Sequence, residues 1–271
     1  MRYVDLAAVV ASIPEEIRDS LQTVDDAMPG KTDADKAQTA ANGNASWSPV
    51  KEHLEAASNR KCWYTESKNP GCLNDVEHFR PKARVPKVGA IEHWYWFLAF
   101  NPINYRLSSQ FSNRLNRNPV LGATGGKGNK FPLMSGSPRA TNVAGLPNER
   151  PVILDPCNEA DTELLEFQAD GRPVISQRYA GDADAVTRVE QSKLLLNLDF
   201  PTFNEDRESL YNQIRQLVER GDRYIRDGID ALGDVQDDLR ELMHEDAEYS
   251  KAAECYIRCF RDRDWVEELI L

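Results

Sequence analysis

Residues 75–82 read DVEHFRPK, and within them a glutamate and a histidine stand side by side. A carboxylate is a hard oxygen ligand suited to Mg²⁺ or Mn²⁺, and a neutral imidazole accepts a proton from water near pH 7. Glu77 and His78 are therefore a candidate metal ligand and a candidate base. Adjacent residues on a strand point to opposite faces, so both serve one site only where the strand bends or twists. Downstream, NPINYRLSSQFSNRLNR supplies Asn104 before a helical pattern and Asn113 within it. Two amides are what such a site needs to orient an imidazole and complete an oxygen ligand set. Taken singly, the Glu-His pair reads as surface charge and each asparagine as a cap or turn residue. The order strand, Glu-His, loop, Asn, helix, Asn gives them a common purpose.

The elements that must position these residues lie in a chain of 271 residues with a formal net charge of −11. That charge is unevenly spread. Between Phe79 and Lys130 nine bases face one acid, Glu92, a local +8, while from Asp199 onward 20 acids face 10 bases. Phosphate binding needs a positive field, so a polyanion would meet the middle of the chain and not its acidic tail. The longest apolar run, WYWFLAF at 94–100, is far short of the roughly 20 residues of a membrane span. A cytoplasmic protein without a membrane partner is expected. Five scattered cysteines in a chain of this size read as reduced thiols.

Three segments are expected to make one compact unit: a helical 1–60, a core with a basic loop at 61–151, and a hairpin with a helical scaffold at 152–271. Ser12-Ile13-Pro14 and Ser48-Pro49 read as helix starts, with TAANGNAS as a loop between them. KCWYTE and NDVEHF read as the two arms of a hairpin around Asn-Pro-Gly. Leu107, Phe111 and Leu115 recur every four residues, which predicts a short helix. Residues 116–151 read as an irregular basic loop, Asp170-Gly171 as a hairpin turn, and 182–197, 202–228 and 235–260 as helices. GATGGKGNK lacks the Gly-Lys-Ser/Thr of a nucleotide-binding loop, so nucleotide hydrolysis is not expected of this chain.

The strings KCWYTE, DVEHFRPKARV, HWYWFLAFNPINYRLSSQFSNR and GGKGNKFPL together resemble the HNH endonucleases of bacterial anti-phage systems, specifically the PtuB-like nucleases of Septu and some retron operons. The resemblance is close over about residues 60 to 135. It implies an α+β protein, mostly helical, with an embedded ββα-metal core and a small additional β-hairpin. It implies that His78 is the general base, that Asn104 holds this histidine in place, and that Glu77 and Asn113 bind one divalent cation, Mg²⁺ or Mn²⁺. Arg80, Lys82, Arg114, Lys127 and Lys130 are then candidates for the nucleic-acid backbone. An ATPase of the ABC or SMC-like kind (PtuA-like), encoded alongside, is the implied protein partner.

Many HNH proteins carry two Cys-x-x-Cys pairs on a structural zinc. Here the corresponding positions read Cys62-Trp-Tyr-Thr65 and Ser109-Gln-Phe-Ser112. One thiol of four does not hold zinc, so no structural zinc is expected, and Trp63, Tyr64, Trp94, Trp96 and Phe97 are expected to pack in its place. The resulting expectation is a metal-dependent endonuclease acting on DNA, with RNA as the alternative target. Two other readings stay open: a catalytically weak HNH-like scaffold subunit, and a stand-alone restriction-type nuclease.

Overall fold

A computed structural model of the chain describes residues 1–68, 71, 73–83 and 94–270. The first helices are α1 (Leu6–Ser12), α2 (Glu15–Ala27), α3 (Asp33–Asn42), α4 (Asn44–Trp47) and α5 (Lys51–Ala56). Asp5 caps α1 by accepting from the amides of Ala7 and Ala8, and Thr32 caps α3 through the Asp35 amide. α2 begins directly after Pro14 with Glu15 and Glu16 in its first turn, where the helix dipole favours acids. The expected loop TAANGNAS is instead helical except at Gly43. A Cβ at Gly43 would lie 2.4 Å from the Trp47 ring and 2.7 Å from Phe100. Gly43 thus serves the close packing of two aromatic rings.

The central region contains β1 (Asp75–His78), β2 (Tyr105–Ser108), α6 (Gln110–Asn113), β3 (Asn116–Asn118) and β4 (Ala123–Gly125). β1 pairs antiparallel with β2, with Asp75 opposite Ser108, Glu77 opposite Arg106 and His78 opposite Tyr105. Two expectations fail here. KCWYTE is a turn whose Trp63 amide bonds the Leu107 carbonyl, so the partner of DVEH is YRLS. The four-residue repeat at 107, 111 and 115 is not one helix: Leu107 is buried in β2, whereas Leu115 lies beyond α6 and is exposed. Ser109, accepting from the Ser112 amide, starts a single helical turn that sequence periodicity could not resolve.

The expected basic loop is also more ordered than its composition suggests. β3 and β4 pair in register Asn116 with Gly125 and Asn118 with Ala123. The turn after β4 is stitched to α6, with the Lys127 amide on the Ser112 carbonyl and the Gly128 amide on the Asn113 carbonyl, both at 2.8 Å. Gly126, at φ +93°, sits where a Cβ would fall 1.9 Å from the Arg114 carbonyl oxygen. That close approach, rather than mobility, explains its glycine.

The remainder comprises α7 (Glu159–Thr162), the hairpin β5 (Leu165–Phe167) and β6 (Pro173–Ile175) turning at Gly171, then α8 (Ala183–Leu195), α9 (Pro201–Asp227), α10 (Leu232–Met243), α11 (Ser250–Arg258) and α12 (Asp264–Ile270). The fold is mostly helical with three small antiparallel hairpins among the described residues. One apolar cluster joins the N-terminal helices to β2 through Trp47, Leu54, Trp63, Phe100, Tyr105 and Leu107. A second runs from Tyr64 and Phe79 to Leu195 and Leu198, and a third lies within α9–α12. The aromatic residues expected at the zinc positions divide between the first two, with Trp63 and Trp94 in one, Tyr64 and Phe97 in the other, and Trp96 against both. No described helix is long and apolar enough to cross a membrane.

Candidate functional site

β1 ends at His78, where the chain bends into Phe79 and Arg80. Glu77, His78, Lys82 and Asn113 are among the residues that line one cavity of about 200 Å³, together with Gly128 and Asn129. His78 is buried, its ring edge-on to Trp47 at 4.9 Å and to Tyr105 at 5.0 Å. Its Nε2 lies 2.9 Å from the Ala99 carbonyl oxygen. A carbonyl only accepts, so Nε2 carries the proton and Nδ1 of the neutral ring keeps the basic lone pair. Burial, then the nearby Lys82, hold the His78 pKa well below the usual histidine value against the opposing Ala99 carbonyl. The ring is therefore neutral at pH 7.

The side-chain hydrogen bonds of Asn104 go to backbone groups and not to that ring. Its Oδ1 accepts from the Arg80 amide at 2.8 Å and its Nδ2 donates to the Arg80 carbonyl at 2.9 Å and the Leu98 carbonyl at 3.3 Å. It clamps the bend after His78 to the segment that carries Ala99, and so positions the histidine through the backbone. Asn113 donates Nδ2 to Asp75 at 3.0 Å, which leaves Oδ1 as the amide atom available for a cation. Asp75 also accepts from Arg114 at 3.2 Å. It lies two residues before Glu77 on β1, and that spacing is its signal in the sequence.

Glu77 is buried. Its Oε2 accepts from Tyr64 at 3.0 Å, and its Oε1 forms an ion pair with Lys127 but accepts no directed hydrogen bond. Lys127 corrects an expectation: instead of facing solvent from a basic loop, its side chain is buried and donates to the His78 carbonyl at 2.8 Å. Arg80 departs likewise, paired to Glu149 at 2.7 Å. Lys82 stays at the cavity, its ammonium 3.8 Å from the Trp47 ring centre, and burial lowers its pKa to about 8. Arg114 is exposed and Lys130 half-buried. Arg84, Lys87 and His93 lie outside the described residues.

The oxygens of Glu77 and Asn113 fit a hard cation that keeps most of its water and takes phosphate oxygens as further ligands, the habit of Mg²⁺. Among the described residues no three His, Cys, Asp or Glu side chains gather as a metal cluster. At the positions compared with a zinc site, Thr65 bonds Ser67 at 2.8 Å and Ser109 bonds Ser112 at 3.1 Å. Trp47, Tyr64 and the Ala99 carbonyl complete the site and were missed in the sequence, because each reaches it through tertiary packing alone.

No family model matches the chain. It is similar to the Septu protein PtuB of Bacillus mycoides (strain KBAB4), 33% identical over 127 residues, or 45% of this chain and 39% of that protein. The chain thus spans well under half the length of the curated relative, a distant relationship to a PtuB-family protein.

Proposed function

We propose that this chain is a metal-dependent HNH-type endonuclease that hydrolyses phosphodiester bonds, the nuclease component of a Septu-type anti-phage system working with an ATPase. The observation that carries the reading is that Glu77, His78 and Asn113 line one and the same cavity. His78, neutral and fixed as the Nε2–H tautomer by Ala99, would take a proton from an attacking water on Nδ1, for which the described residues supply no hydrogen-bond partner. Asn104 holds the bend and Asp75 holds the Asn113 amide. Glu77 and Asn113 would hold the divalent ion, which when bound clamps the scissile phosphate and stabilises the leaving oxygen. Lys82, Arg114 and Lys130 supply positive charge for flanking phosphates, positioning the backbone without reading sequence.

The test is cleavage of DNA and of RNA by the purified chain with Mg²⁺ or Mn²⁺, with and without the ATPase encoded beside it. His78→Ala is expected to lose at least about 10²-fold in rate; undiminished cutting would sink the site assignment. One observation favours a second reading, a catalytically weak nucleic-acid-binding subunit: the Glu77 carboxylate is already engaged by Lys127 and Tyr64. Nucleic-acid binding by the wild-type chain, with no cutting under any metal or partner, would select it.

A further inference from the structure

We propose that Lys127 is the resident counter-ion of Glu77 and that it makes metal affinity conditional on nucleic acid, an inference that rests on the nuclease reading above. The charges at the cavity support it. Glu77 is matched by Lys127, Asp75 is matched by Arg114, and Lys82 adds an ammonium. These five side chains carry two negative and three positive charges, so a divalent cation entering alone meets no net attraction. A phosphodiester brings the missing negative charge together with the oxygens that Mg²⁺ and Mn²⁺ prefer.

Lys127 is also unable to step aside easily. Its backbone amide is bound to the Ser112 carbonyl, the next amide to the Asn113 carbonyl, and Gly126 is seated against the Arg114 carbonyl. The backbone that carries Asn113 is thus tied directly to the backbone that carries the competing ammonium. Its Nζ is further held by the His78 carbonyl at 2.8 Å, and both Lys127 and Glu77 are almost fully shielded from water. A buried ammonium at a carboxylate is screened far less than a surface pair. By linkage, whatever nucleic acid adds to metal affinity, metal adds equally to nucleic-acid affinity.

Mn²⁺ titration, read by the electron paramagnetic resonance of the free ion, tests this on the full chain carrying His78→Ala, so that nucleic acid stays intact. Without nucleic acid this protein is expected to bind Mn²⁺ with a Kd on the order of millimolar, and a short DNA duplex should tighten it at least tenfold. Adding Lys127→Gln, which keeps a donor for the His78 carbonyl but removes the charge, should give at least tenfold tighter binding without DNA. A further Glu77→Gln should erase that gain. Micromolar binding by the Lys127 protein alone, or no gain in Lys127→Gln, overturns the inference and leaves the nuclease reading standing. No Mn²⁺ uptake in any arm, duplex included, removes the nuclease reading itself. Should Lys127→Gln fail to fold, the constant of the Lys127 protein without DNA decides.

Discussion

Around β1 and β2 the buried side chains include Glu77, His78, Asn104, Arg106 and Lys127, whereas between α9, α10, α11 and α12 they include Ile214, Val218, Val235, Leu239, Ala253, Ile257 and Val266. The helical interior is held by area removed from water, which is non-directional and tolerates alternative packings. The polar interior has no such latitude, because each buried charge must meet its partner at hydrogen-bond distance. Arg106 illustrates this with two bonds of 2.7 Å to Asp155 and two more to the Ile103 and Tyr105 carbonyls. The two regions are joined at residues 61–66, where Lys61 donates to the Glu245 and Ala247 carbonyls and Glu66 accepts from Ser250 and the Lys251 amide. A rigid polar site is thus mounted on an apolar scaffold.

The largest effect expected to separate the regions comes from Arg106→Leu. It strands the largely buried Asp155 carboxylate and should cost about 3–5 kcal/mol in urea unfolding. Burial alone would raise the Asp155 pKa, but Arg106 outweighs it and the net shift is downward. A depressed carboxylate contributes stability above its unfolded pKa and loses it as pH falls through the folded one. In the variant burial alone acts on Asp155 and raises its pKa, so the gap between wild type and variant should be widest at neutral pH and above and shrink as pH falls through the interval from that raised pKa to the depressed one of the wild type. A pH-independent gap would break the assignment of its cost to charge.

Ile214→Ala, at the centre of the apolar scaffold, is expected to cost about 2–5 kcal/mol at any pH. Cleavage per folded molecule should not change, since Ile214 belongs to the third apolar cluster, which includes none of the site residues. A rate loss in the folded fraction would show that the scaffold tunes the site rather than merely carrying it.

The smallest effect sharpens the comparison at the edge of the polar region. Asp25 on α2 has a buried Oδ1 without a hydrogen-bond partner, and burial followed by Asp26 raises its pKa to about 6. A raised carboxylate contributes stability below the unfolded pKa and loses it as pH rises through the folded one. Asp25→Asn should accordingly stabilise by about 1 kcal/mol at pH 8, a value reduced because the group is only partly buried, and change little at pH 4. Equal stability changes at both pH values would show that the unpartnered carboxylate is not the cause.

The site's residue types were legible because they come from short stretches of distinctive chemistry: Glu77-His78, then Asn104 and Asn113. The hairpin at Gly171 and the helices from α8 onward were legible for a similar reason, since a positive-φ turn and long apolar periodicity are local signals. Legibility failed where the partner was remote. DVEH was given the wrong strand partner because register depends on which strand arrives from elsewhere in the chain. Lys127 and Arg80 were counted as surface bases because sequence does not reveal that each has a carboxylate waiting for it.

From the sequence alone followed the inventory: a carboxylate, an imidazole and two amides in a fixed order, a basic middle, an acidic helical tail and no thiol set for zinc. Tertiary structure decided how that inventory is connected. It put Ala99 behind His78 and so chose the basic nitrogen, put Asp75 behind Asn113 and so aimed the amide, and put Lys127 on Glu77. The physical reason is the range of the forces. Capping, turn and periodicity preferences act within a few residues, whereas burial and charge pairing join groups far apart in the chain, 49 positions for His78 and Lys127 and 184 for Glu66 and Ser250.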